Sequence, residues 1–139
     1  MVDVAKPSRT DAEWLLRHDP HVGEPWVLRC IDLGEYFVAS GQSDIVGFLR
    51  FSFFWGRIPY MEMIWVSSVH RRSGVGTALF RRWEDEMRRD AYGMLMTSSE
   101  ADEPEPQDWH RRNGFSEIGS IKLPSIQSVS EVFFVKQIA

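Results

Sequence analysis

Between residues 60 and 97 the hydrophobic period of the chain changes twice, and that change restricts the fold more than any other feature. Tyr60–Val66 is apolar on both faces apart from Glu62, the pattern of a strand in the middle of a sheet. From Gly74 to Asp90 the period becomes helical. Val75, Ala78, Leu79, Trp83 and Met87 recur at steps of three and four and form one apolar stripe. Glu84 and Arg88, like Asp85 and Arg89, stand four apart and are expected to pair on the outer face. Met94–Thr97 then reads as a short buried strand. A strand, a helix and a strand in that order make a crossover, so the two strands run parallel within one sheet.

The flanking segments supply antiparallel partners. Thr10–Asp19 has helical spacing in Ala12, Trp14, Leu15 and Leu16, with Ser8 or Thr10 as its cap and Pro20 as its stop. A second helix is predicted over Pro25–Leu33, closed by Gly34. Tyr36–Ser40 and Ile45–Phe54 read as strands joined by the turn Gly41-Gln42-Ser43-Asp44, and Gly56 and Pro59 bound the turn that follows. Gln107–Asn113 looks like a short helix ended by Gly114. Ser116–Leu123 and Glu131–Gln137 finish as an antiparallel pair around a loop with Pro124. No repeat, low-complexity tract or linker interrupts this order. The expected architecture is one mixed α/β domain over residues 1–139, with a mainly antiparallel sheet. It is not a doubly wound nucleotide fold.

Composition excludes several classes. A chain of 139 residues suits one domain, and 43% hydrophobic residues supply a core and argue against disorder. No stretch approaches the roughly 20 apolar residues of a membrane helix. The start, Met1 to Pro7, lacks the apolar segment of a secretory signal. A lone Cys30 excludes an internal disulfide framework and a thiolate metal cluster. The expectation is a cytoplasmic protein with no membrane partner and no metal.

The net charge of −4 hides an uneven distribution. Thirteen of the sixteen basic residues are Arg, and Arg71, Arg72, Arg81, Arg82, Arg88 and Arg89 fall close together. Glu100, Asp102, Glu103, Glu105 and Asp108 follow with no basic residue among them. Each cluster is either a field that faces a ligand or a solvated face, and position has to decide. A nucleic-acid partner is not expected, because the Arg residues are interleaved with Glu84, Asp85 and Glu86 and the chain is acidic.

The informative segment is Trp65-Val66-Ser67-Ser68-Val69-His70-Arg71-Arg72-Ser73-Gly74-Val75-Gly76-Thr77. It leaves a buried strand and enters a helix through two glycines. A helix start carries unpaired N–H groups and the positive end of the dipole. Glycines there let the backbone approach a ligand, so the loop suits a phosphate or pyrophosphate. Arg71 and Arg72 add charged donors beside it. It is neither of two familiar phosphate loops: the Gly-Lys-Ser/Thr ending is missing, and so is the three-glycine dinucleotide fingerprint.

Arg71-Arg72-Ser73-Gly74-Val75-Gly76 instead resembles the Arg/Gln-x-x-Gly-x-Gly/Ala signature of the GNAT superfamily of N-acetyltransferases. Its surroundings agree. Met61–Val66 resembles the strand before the family's cofactor loop, and Ile45-Val46-Gly47-Phe48 resembles an early strand that often carries Val-Gly. Arg112-Asn113-Gly114-Phe115 is similar to the family's late helix end, and Phe133-Phe134-Val135-Lys136 to its last strand. The resemblance covers residues 45–139 well and the first 44 by helix order alone.

That resemblance implies helices on both faces of the sheet and a splayed parallel pair, Tyr60–Val66 and Met94–Ser99, with the pantetheine arm of acetyl-CoA in the gap. It implies that the backbone of Trp65 and Val66 pairs with the pantetheine amides. Arg71, Arg72, Ser73, Gly74, Val75, Gly76 and Thr77 would hold the pyrophosphate, and a backbone N–H near Val66 would polarise the carbonyl. The implied reaction is direct attack of a primary amine on the thioester, with no covalent nucleophile, so Cys30 is read as a packing residue.

Glu62, the sole charge in its strand, is the candidate base, and a structural ion pair with Arg50 is the alternative. His110 stands where many family members carry the Tyr that protonates the departing thiolate. It either takes over that task or is an exposed helix residue with none. The acidic run 100–108 is expected as a loop that borders a cationic acceptor or merely solubilises. Phe53, Phe54 and Trp55 are core, acceptor pocket or homodimer contact. The leading function is acetyl-CoA-dependent acetylation of a small-molecule amine. Acetylation of a protein or peptide, and an acyl-CoA-binding sensor without catalysis, are the alternatives.

Overall fold

A computed structural model describes residues 2–139. Its strands are β1 (Asp3–Ala5), β2 (Tyr36–Ser40), β3 (Ile45–Phe54), β4 (Ile58–Val66), β5 (Met94–Glu100), β6 (Ser116–Ile121) and β7 (Glu131–Gln137). The helices are α1 (Ala12–His18), α2 (Glu24–Leu33), α3 (Val75–Arg89) and α4 (Pro104–Arg112). The strands form one seven-stranded sheet in the order β1-β2-β3-β4-β5-β7-β6. It is mixed and mainly antiparallel, and β4–β5 is the parallel pair that the crossover requires. That ladder holds two residue pairs among the described residues, Tyr60↔Met96 and Met61↔Thr97.

The chain forms two compact units. The first runs to Phe51 and resumes over Met63–Asp85. Here both faces of β3 are covered. Phe48 meets Trp14 of α1 edge-on, while Phe51 meets Trp83 of α3. Of the predicted stripe, Val75, Leu79 and Trp83 are buried here, and Ala78 is half-buried. Gly47 is what lets α3 come close. A Cβ there would lie 2.8 Å from the Trp65 carbonyl oxygen and 3.3 Å from Val75 Cγ1. Cys30 is buried in the apolar cluster with Leu15, Val27 and Tyr36. Beside it, Asp19 accepts hydrogen bonds from the Tyr36 hydroxyl (2.7 Å) and Arg50 Nε (2.7 Å), so a buried charge is paired. Burial, helped by Asp19, pushes the Tyr36 phenol pKa well up.

The second unit comprises Ser52–Glu62 and Glu86–Ala139. There β5 pairs with β7 from Met94↔Gln137 to Glu100↔Glu131, and β6 pairs with the other edge of β7. No helix among the described residues is long and apolar enough to cross a membrane.

Several sequence expectations need correction. β1, only three residues long, pairs with β2 and was not predicted, because so short a segment has no readable period. Pro59 lies inside β4 rather than in the turn before it. β5 runs on to Glu100, and α4 starts at Pro104, so the acidic run is not a loop. Glu100 ends a strand, Glu105 and Asp108 belong to the helix, and Pro104 takes the first helical position, where its missing N–H costs nothing. Glu84 is 8% exposed and so is not on the outer face of α3.

Candidate active site

The loop from β4 to α3 is built by its own polar groups. Ser67 N donates to Val46 O (2.8 Å), and a short 3₁₀ turn over Ser68–His70 follows. Ser67 Oγ and His70 Nδ1 share a hydrogen bond (2.7 Å), and Ser73 Oγ donates to the His70 carbonyl. His70 thus organises the loop. Arg72 (φ 64°) and Gly74 (φ 88°) take left-handed backbone conformations, which turn the chain sharply into α3. Ala78 N donates to Gly74 O, so the first helical bond starts there, and the N–H groups before it have no partner within the helix. A Cβ placed on Gly74 would meet nothing within 4 Å, so the surface over the helix start is open. Open space, unpaired N–H groups and exposed arginines fit a pyrophosphate.

The Arg cluster divides by task. Arg71 Nε donates back to the Val66 carbonyl (3.0 Å) and Arg82 lies over the Phe37 ring, while Arg88 Nε donates to Ile138 O. Arg72 stays exposed at the loop. Trp65 packs its half-buried side chain among Trp14, His18 and Phe48.

Both candidate catalytic residues lie in the second unit. Glu62 is half-buried and accepts a hydrogen bond from Ser52 Oγ at 2.6 Å. Arg50, the alternative partner named for Glu62, also pairs with the buried Asp19. His110 is only 4% exposed, which overturns the reading of an exposed helix residue. Its ring packs against Phe134 (5.2 Å) and Phe115 (6.0 Å), and neither ring nitrogen has a hydrogen-bond partner of good geometry. Burial above all lowers its pKa to about 4, with the Arg111 charge adding to that and the Ser98 backbone opposing it. The ring is therefore neutral at pH 7, and no hydrogen bond or ring contact of His110 involves Glu62. Sequence reasoning missed Ser52, which lies within β3 and belongs to no motif.

The sequence profile of the Acetyltransferase (GNAT) family matches residues 6–115. The chain belongs to the GNAT acetyltransferase family. No curated protein matches this acetyltransferase by sequence. Among solved structures, Ard1 from Thermoplasma volcanium superposes with a TM-score of 0.86 at 18% identity, covering 99% of this chain and 98% of that one. The ribosomal-protein-S18-alanine N-acetyltransferase from Escherichia coli gives 0.83 at 16% identity, covering 100% and 95%. YncA from Salmonella typhimurium, solved with its cofactor acetyl-CoA, gives 0.84 at 14% identity, again covering 100% and 95%. At such identities the likeness is one of fold.

Trp55 and Phe54 of this acetyltransferase are exposed by 78% and 38%, which removes both from the core, whereas Phe53 packs on Tyr92. Trp55 lines a cleft of about 570 Å³ with Arg57, Ile58, Met94 and Gln137. That cleft adjoins the start of β5, not the end that carries the acidic residues.

Proposed function

We propose that this acetyltransferase moves the acetyl group of acetyl-CoA to a primary amine of a small molecule by direct attack on the thioester. The family match that spans the open glycine loop carries the reading. Backbone N–H groups from Arg71 through Thr77 hold the pyrophosphate, and the backbone of Trp65 and Val66 pairs with the pantetheine amides. Arg71 already uses one lone pair of the Val66 carbonyl and so stiffens the strand end. Acetyl-CoA supplies an activated acyl group. Glu62 takes the proton that the ammonium must lose, with its carboxylate oriented by Ser52. His110, with a pKa of about 4, is cationic in about one molecule per thousand at pH 7. It therefore steadies the departing sulfur through a neutral N–H, and solvent supplies the proton.

Acetylation of a peptide N-terminus is the second reading, favoured by the fold shared with the Escherichia coli enzyme. Coenzyme A release from acetyl-CoA separates them. Turnover of polyamines or aminoglycosides supports the first, and turnover of free N-terminal peptides alone supports the second. Binding of acetyl-CoA with no turnover of either would overturn both. The expected compartment is the cytoplasm, and chromatographic size tests the homodimer.

A further inference from the structure

Four side chains of the second unit form a hydrogen-bonded line that the mechanism above leaves unused. The Tyr60 hydroxyl on β4 meets Ser98 Oγ on β5 at 2.6 Å, and Ser98 Oγ donates to Glu131 Oε2 on β7 at 2.5 Å. Gln127 Nε2 donates to the other carboxylate oxygen, Glu131 Oε1, at 2.9 Å. All four are half-buried. The far end fixes the direction of the line. A carboxylate only accepts and a hydroxyl has one proton, so the Ser98 proton is spent on Glu131. Tyr60 must then donate to Ser98, and its phenol oxygen can meet a third group only as an acceptor. Tyr60 lies two residues from Glu62 on β4, and its ring stacks on Phe133 at 6.2 Å.

We propose that Tyr60 contacts the acceptor amine and receives one of its N–H groups at the phenol oxygen. Glu131, acting through Ser98, is the positioning residue that holds the phenol in this polarity. The inference rests on the amine-acceptor reading above and adds the group that orients the amine beside Glu62. The substrate class it selects is an ammonium, which has enough N–H groups to serve Tyr60 and Glu62 together. A hydroxyl acceptor has one proton and cannot.

Glu131→Gln inverts the line without changing its shape. Gln127 keeps the amide oxygen of the new side chain on its side, so the NH2 faces Ser98. Ser98 then donates to Tyr60, and the phenol O–H turns outward against an N–H donor. Ser98→Ala only breaks the line and lets the phenol rotate. With spermidine and butylamine as acceptors, KM should rise about tenfold in Glu131→Gln and about threefold in Ser98→Ala, with kcat changed less. Equal KM values in the two variants would overturn the proposal while leaving acetyl-CoA binding and turnover intact.

A second readout needs no acceptor. In protein labelled at tyrosine Cζ, with three tyrosines to assign, the Tyr60 phenol should ionise at the highest pH in wild type, lower in Ser98→Ala and lowest in Glu131→Gln. The same titration in wild type and Glu131→Gln would equally overturn the line. Loss of all amine turnover in wild type would instead sink the acceptor reading, and the titration would still judge the polarity.

Discussion

His110 shows how the fold sets a protonation state at one residue. The ring is enclosed by Phe115 and Phe134, and burial lowers its pKa to about 4. In the unfolded chain the value returns to about 6.5. Between these two values the unfolded chain binds a proton that the folded chain refuses, so stability is lost as pH falls through that window. The full effect is about 3 kcal/mol. Melting curves from pH 7 down to pH 4 should show wild type losing stability and His110→Phe losing less; equal slopes would place the titration elsewhere. The sequence marked His110 by its slot and Glu62 as a lone charge in an apolar strand. It did not show Ser52 beside Glu62, nor Ser98 joined to Glu131. Ser98 and Glu131 are 33 positions apart and meet only across β5 and β7. The bond of Asp19 to Arg50, 31 positions away, was hidden for the same reason.

At the scale of elements, two glycines act by different physics. Gly47→Ala places a methyl 2.8 Å from the Trp65 carbonyl oxygen, and backbone there cannot give way cheaply. Chemical denaturation should show a loss of about 1–3 kcal/mol. In Gly74→Val the Cβ meets no neighbour, but the residue must adopt φ 88° and puts a side chain into the open space over the helix start. Its expected cost in stability is about 1 kcal/mol, with a rise in the Kd for acetyl-CoA of about tenfold or more, measured by calorimetry. A Gly74→Val protein that binds acetyl-CoA as wild type does would remove the pyrophosphate from this loop. Most elements were legible because their periods differ clearly, as between β4 and α3. The errors fall where period gives no signal: a three-residue strand, a proline at a strand start, and a helix whose first turn is Pro-Glu-Pro. Proline reads as a breaker, yet it is tolerated at these terminal positions.

For the whole molecule, a ligand that binds only the folded chain must stabilise it. Acetyl-CoA at a hundredfold excess over its Kd should add about 2.7 kcal/mol, seen as a concentration-dependent rise in Tm. No rise at millimolar acetyl-CoA would remove the co-substrate. The sequence by itself determined the strand–helix–strand crossover, the parallel pair, the glycine loop and hence the family, because periodicity and backbone freedom are local properties. Only the tertiary structure decided that His110 is buried and neutral. It also assigned one arginine of the loop to its own strand end and joined Tyr60, Ser98 and Glu131 in one line. Burial and hydrogen-bond direction depend on neighbours that the sheet brings from distant parts of the chain.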